Sequence, residues 1–261
     1  MRVPDWRAKL PLDTACDLSY TDHRSVSDLR SGIEKGEPVG TTGRRERERA
    51  KRRQDILQAA REVFFGEGFS RATIDDVAAR AEVSKGTVYL YFESKGAILA
   101  HLVLEGLDIL SGHLQTAYAP KKDVTADERV RRLARAYLKF SKTHPQYFRL
   151  LMAFDRGQFR ESVPAPLYQQ VSEHSVASLR WVEQALEQGR ASGEFAIADP
   201  WRMAGVLWAS LNGALLLLDH PLRQEILGVP PNELFDATLE LLLHGLDADS
   251  VVPRSPRRRK V

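Results

Sequence analysis

Between residues 73 and 99 the chain reads TIDDVAARAEVSKGTVYLYFESKGAIL, and no other stretch restricts its fold as tightly. Thr73 with Asp76 three residues on is a capping-box pattern, in which the two side chains satisfy each other's backbone N–H groups. Ile74, Val77, Ala78 and Ala81 come next at helical spacing and give one narrow apolar face. After Glu82 and Val83, Ser84 caps a second helix whose first turn is Lys85, Gly86 and Thr87. Val88 and Phe92, four apart, anchor that helix to the one before it. Lys85, Thr87, Tyr89 and Tyr91 are left on the outward side or its margins. Ser94 caps a third helix, with Lys95 in its first turn. Two small helices joined by a tight turn, the second showing donors and aromatics outward, make a helix-turn-helix pattern. Hydroxyls and free N–H groups at a helix start can bond phosphates and base edges, and Lys95 can neutralise a phosphate.

The string GTVYLYFESK at residues 86–95, with Leu99 four further on, closely resembles the DNA-binding signature of the tetracycline-repressor (TetR) family. The resemblance runs from about Arg47 to Leu102; beyond that it rests on helix order and length. It implies that Thr87 and Tyr89 face the groove. Tyr91 and Lys95 would hold the phosphate backbone, as would Thr73 at its helix N-terminus, and Gly86 would let the backbone approach DNA closely. Ser84, Lys85 and Arg47 complete the candidate DNA-binding set. Arg47 sits in RRERERAKRR, residues 44–53, where seven basic residues outnumber the acids. That run reads as phosphate or minor-groove contact, or as a charged helix start.

Composition is ordinary for a globular chain, with 43% hydrophobic and 28% charged residues and a net charge of +3. Cys16 is the only cysteine, which rules out a disulfide within the chain and a thiolate zinc site, and fits a reducing cytoplasm. The N-terminus has no apolar core of a secretory signal. The longest near-apolar segment, residues 203–218, contains Ser210 and Asn212 and falls short of the roughly 20 residues that span a bilayer. It reads as a buried helix, so no membrane partner is expected and the expected location is cytoplasmic.

Residues 1–43 carry scattered Pro, Gly and charge without a period, and read as a disordered extension. Val39 is an alternative biological start, because the residues after it form a complete basic arm leading into a helix. Residues 44–93 make a three-helix DNA-binding domain with Phe64, Phe69, Val77 and Phe92 in its core. Residues 94–247 form a helical ligand-binding and dimerisation domain, and 248–261 a basic tail. A long helix runs from Ser94 to about Tyr118. Thr125 to Glu128 is a second capping box, opening a helix that ends at His144-Pro145. Later helices start near Gln146, Leu167 and Trp201, and the last opens at Pro230-Pro231-Asn232. No strand-like alternation occurs. The expected fold is all-α, with about nine helices.

Two faces of the second domain draw attention. The helix over residues 203–218 is apolar nearly all round, and residues 234–246 are leucine-rich. Helices this apolar need a second partner surface or a central place in one domain. The family resemblance favours the first, because TetR proteins pair their last two long helices across a two-fold axis. Leu207, Leu211, Leu215, Leu239 and Leu242 are the expected interface. Aromatics and Met in excess of a simple core suggest an apolar pocket lined by Phe148, Leu151, Met152, His174, Trp181, Trp208 and Asn212, although plain packing would also use them. His101, His113, His144 and His174 lie on separate helices without ligand spacing, so neither a metal nor a cofactor is expected. Glu173, His174 and Asp155 lack any nucleophile motif, and no enzymatic role is expected.

The expectation is therefore a homodimeric TetR-type regulator, a repressor that leaves a palindromic double-stranded operator when a small apolar ligand binds. The alternatives are a ligand-independent architectural DNA-binding protein of the same fold, and a helical small-molecule-binding protein or enzyme.

Overall fold

From the second helix onward, each helix begins where the sequence offers a cap or a proline. The order is α1 (Thr41–Glu67), α2 (Ile74–Arg80), α3 (Lys85–Tyr91), α4 (Lys95–Tyr118) and α5 (Ala126–Thr143). Then come α6 (Pro145–Asp155), α7 (Ala165–Ser192), α8 (Pro200–Leu218), α9 (Pro221–Leu227) and α10 (Pro231–Leu246). The computed structural model describes residues 41–119, 124–155, 157, 159–218 and 221–247. Among these the only extended pairing is one isolated antiparallel bridge, Phe195 to Asp247. The fold is all-α.

The chain divides into two compact units, residues 1–48 and 49–261. In the first, residues 41–48 are the opening turns of α1, exposed from Arg44 onward, with Arg44 paired to Glu48 at 2.9 Å. Helix therefore starts at Thr41, before the expected boundary. The rest of the expected extension, Val39 included, lies outside the described residues. So does the basic tail, residues 248–261.

In the second unit Thr73 caps α2 with both halves of the capping box in place. Ser84 and Ser94 cap α3 and α4 through the N–H groups of Thr87 and Ala97. Val77, Val88, Ile98 and Leu99 are wholly buried, and Phe64 and Phe92 close around them. Phe69 is only half-buried. It packs edge-on against Phe64 and, across to the loop after α6, against Phe159.

The second capping box forms differently from its pattern. Thr125 accepts from the Glu128 N–H at 3.2 Å, but the Glu128 carboxylate turns to Arg132. The free N–H groups of Ala126 and Asp127 are instead taken by Glu194, just beyond α7, at 2.9 and 2.8 Å. A distant carboxylate thus caps a helix start, where the dipole favours it. Gly193, at φ +78°, makes the left-handed turn that stops α7 and brings Glu194 round.

Helix α4 is the centre of the domain, packing against α5, α6 and α7, with α8 behind α7 and α10 against α8. By length and composition it could cross a bilayer, yet 56% of its most apolar window is buried inside the protein. The central core helix is thus α4 rather than the helix over residues 203–218.

Ten helices, rather than nine, occur among the described residues. The additional one, α9, lies where His220-Pro221 reads in the sequence only as a stop. Proline also fits the first turn of a helix, and Gly228 at φ +60° ends this one after Leu227. The expected interface leucines are placed as follows within a single chain. Leu207, Leu211, Leu215 and Leu239 are at most 8% exposed within a single chain, and Leu242 is half-buried. They face inward because α8 and α10 turn these positions towards the domain core. The exposed apolar side chains on the two helices are Val206, Trp208 and Leu241.

Candidate functional site

The turn between α2 and α3 presents one open surface. Tyr89 is 47% and Leu90 75% exposed, while the neighbouring Val88 is fully buried against the hairpin. Ser84, Lys85 and Gly86 are exposed at the helix start and Thr87 half-buried. A Cβ on Gly86 would meet nothing nearer than the Ser84 Oγ at 3.8 Å, so this backbone is open to a large partner. The Ser84 Oγ lies 2.8 Å from the Thr87 Oγ1, which orients the Thr87 hydroxyl at the margin. Lys85 pairs with Asp75 at 2.8 Å, and that ion pair holds its ammonium above the usual lysine range.

The flanking candidates are placed less simply. The Thr73 hydroxyl donates to Asp76 at 2.6 Å, so its hydrogen is committed to the capping box rather than free for a phosphate. The same bond holds the Asp76 carboxyl below its ordinary value. Lys95 places its Nζ over the Phe69 ring, 4.3 Å from the centroid, and partial burial lowers its pKa. Tyr91 is half-buried against the core. Arg47 is exposed on the opening turns of α1. Sequence reading misses Leu90, whose outward apolar side chain could meet a thymine methyl; its apolar character points it inward on paper.

Several contacts tie this module to the second domain. Arg61 on α1 donates to the Tyr147 hydroxyl on α6 at 2.7 Å and to both Glu105 oxygens on α4 at 2.6 and 2.7 Å. Burial first, then Glu105, pushes the Tyr147 hydroxyl up to about 12. Phe69 meets Phe159, and the loop carbonyl of Ser162 lies so close to Gly96 that a Cβ there would be 1.7 Å from it.

Between α4, α5, α6, α7 and α8 lies a cavity of about 230 Å³. Leucines 107, 110 and 114 line it from α4, Leu133 and Tyr137 from α5, and Leu151, Met152 and Asp155 from α6. Ser178 and Leu179 of α7 and Trp208 and Leu211 of α8 close it. Asp155 and Trp208 are its exposed members.

Of the expected pocket residues, the structure brings Leu151, Met152 and Trp208 to this cavity and leaves four outside. Phe148 packs edge-on behind Tyr137, and Asn212 is buried as acceptor for the Tyr137 hydroxyl. Trp181 packs on Tyr118 at 5.0 Å. His174 is exposed, its Nδ1 2.9 Å from the Gln170 carbonyl one turn back. It points away because α7 turns Ser175, Ser178 and Leu179 inward instead. Two of the expected interface residues, Leu207 and Leu211, line the cavity. Asp155 and Ser178 are lining residues that sequence reading misses; an acid ending an apolar run carries no sign of which way it faces.

Known proteins resemble the chain over both parts. A family model described as bacterial regulatory proteins, tetR family, matches residues 56–102. One described as tetracyclin repressor-like, C-terminal domain, matches residues 130–242. The HTH-type transcriptional regulator RutR of Escherichia coli K12 is 29% identical over 175 residues, 66% of this chain and 77% of that protein. The TetR family regulator PfmR from Thermus thermophilus superposes with a TM-score of 0.57 at 21% identity, over 74% of this chain and 98% of its own. FadR from Bacillus subtilis, solved in complex with stearoyl-CoA, gives 0.57 at 22% identity over the same shares.

Proposed function

Because this chain belongs to the tetracycline-repressor family of DNA-binding transcriptional regulators, we propose that it is a homodimeric repressor released from a palindromic operator by a small ligand in the α4–α8 cavity. One observation carries this reading. Two of the helices that line the cavity, α4 and α6, are also the helices that hold the DNA module, through Glu105 and Tyr147. A ligand that fits one arrangement of α4 and α6 better than another therefore biases where the module sits.

In the dimer, Val206 and Leu241 cover each other's counterparts across a two-fold axis. Two recognition helices then face successive major grooves, roughly 34–36 Å apart. Thr87, Tyr89 and Leu90 meet base edges, and Lys85, Tyr91 and Lys95 meet phosphates. Respacing the two copies by ligand breaks that register.

The test is selection of a duplex from a random pool, then binding across a series of salt concentrations. A palindromic site with a salt slope of several phosphates is expected. Tyr89→Ala should weaken binding by roughly 1–3 kcal/mol while the dimer persists. A folded Tyr89→Ala protein that binds as before would move the DNA interface elsewhere.

A further inference from the structure

The cavity is apolar except for a few groups, and those groups are not equivalent. Ser175 donates its hydroxyl to the Val171 carbonyl at 2.9 Å, and Tyr137 donates to Asn212. Both are satisfied within the protein. Ser178 is not: it is 7% exposed, lines the cavity, and its Oγ has no hydrogen-bond partner among the described residues. Among the described residues of the lining, Asp155 is the only charged side chain. Among the described residues no group donates to its carboxylate or forms an ion pair with it. Burial alone pushes its pKa up to about 6, so it remains largely ionised at neutral pH.

Asp155 lies at the exposed rim of the cavity, where water solvates its carboxylate, and a ligand that covers it without pairing it would leave a charge buried and unsatisfied. A neutral hydrocarbon in the cavity would do that. An anionic ligand would add like-charge repulsion at short range. A cation would satisfy it with a charge-assisted hydrogen bond, the stronger kind. We propose that the ligand of this cavity is a small amphiphilic amine. Its apolar body lies among Leu110, Leu133, Met152 and Leu211, and its ammonium pairs with the Asp155 carboxylate. Ser178 supplies a second polar contact deeper in the cavity. The space of about 230 Å³ exceeds the about 150 Å³ that holds benzene in an engineered core, so a ring with a short chain fits. This assignment rests on the cavity being the ligand site, and the test separates the two claims.

The intact protein is titrated calorimetrically with three near-isosteres: 4-phenylbutylamine, 4-phenylbutan-1-ol and 4-phenylbutanoate. The amine should bind about ten- to hundredfold more tightly than the alcohol, as a hydrogen bond between charged groups implies, with the carboxylate weakest. Asp155→Asn should bring amine and alcohol level. Alcohol or carboxylate binding as tightly as the amine overturns the assignment but keeps the cavity as a ligand site. So does an Asp155→Asn protein that keeps the amine preference. Binding of none of the three overturns both.

Discussion

Arg61 and Tyr147 meet at 2.7 Å, guanidinium Nε to phenol oxygen, across the junction between the N-terminal helices and the C-terminal helical domain. The tyrosine ring is held from two further sides. Phe65 of α1 packs edge-on to it at 5.1 Å, and a Cβ on Gly106 of α4 would approach its Cδ1 to 3.0 Å. Two helices, α1 and α4, thus converge on one side chain of α6. Removing only its hydroxyl leaves this packing and the Arg61–Glu105 pair in place. Tyr147→Phe should lose about 1 kcal/mol of stability, the typical net worth of a hydrogen bond. Its larger effect should be on coupling: operator affinity near wild type, with ligand-driven release blunted. Urea denaturation and an operator-release titration measure the two separately. Unchanged release would mean the signal takes another route.

Two glycines on neighbouring helices are predicted to respond in opposite ways to the same substitution. At Gly96 a methyl would collide with the Ser162 carbonyl oxygen at 1.7 Å and its carbon at 2.5 Å, both backbone atoms that cannot rotate aside. Gly96→Ala should cost about 1–3 kcal/mol by overpacking and displace the α6–α7 loop from α4. At Gly86 the space is open, so Gly86→Ala should stabilise the free protein by up to about 1 kcal/mol through helix propensity. DNA affinity should fall for Gly86→Ala all the same, if the backbone comes close to the groove there. Thermal melts and operator binding of both proteins check the four outcomes. Tight operator binding by Gly86→Ala would remove that glycine from the interface.

The DNA module is legible in the sequence because its signals are local. Thr73–Asp76, Ser84 and Ser94 set helix starts from within three residues, and the Val77, Val88 and Phe92 spacing determines which faces turn inward. The C-terminal domain is legible only as helices. Which side of α8 meets the core depends on α4, α7 and α10, far away in sequence, and a helix apolar nearly all round gives no preferred face. That is why Leu207 and Leu211 read as subunit interface in the sequence and line the cavity instead. The size of Trp181 suggests a pocket wall, whereas its partner is Tyr118 from the end of α4. Glu194 as the cap of α5 is a tertiary contact that no local pattern announces.

Stability should fall on acidification for a reason located at His101. Its Nε2 lies 2.8 Å from an Arg53 guanidinium nitrogen, and its ring packs edge-on to Phe92. Burial first, then Arg53, lowers its pKa to about 4 from a normal 6.5. Between those values the unfolded chain binds more protons than the folded one, so stability rises with pH there. It is fully present above pH 6.5 and lost as pH falls through about 4. With the ring partly exposed, screening limits the contribution to on the order of 1 kcal/mol. Denaturant midpoints at pH 7.5 and pH 5 should differ by more in the wild type than in His101→Gln. Equal slopes in the two proteins would place the acid sensitivity at other groups. His113, also lowered by burial and by His144, is the first of these.

Substituting Leu241 should separate the proposed subunit contact from the fold of one chain. It is 75% exposed on α10, whereas Leu239 and Leu243 on the same helix are each 2% exposed. A charge at Leu239 would therefore be buried in the domain core, and Leu239→Glu should fail to fold. A charge at Leu241 meets only solvent in a single chain, so Leu241→Glu should leave its secondary structure intact, as surface substitutions within about 0.5 kcal/mol do. In a two-fold dimer built on α8 and α10 the same carboxylate is buried, unpaired, against its own copy. The protein should then sediment as a monomer at micromolar concentration. Operator affinity should fall by at least about a hundredfold, because the second half-site loses the high effective concentration that linkage to the first provides. Binding to an isolated half-site should stay as it was. A Leu241→Glu protein that remains dimeric would put the two-fold axis on another face, and the exposed α9 side chains Leu222 and Ile226 would be the next to substitute.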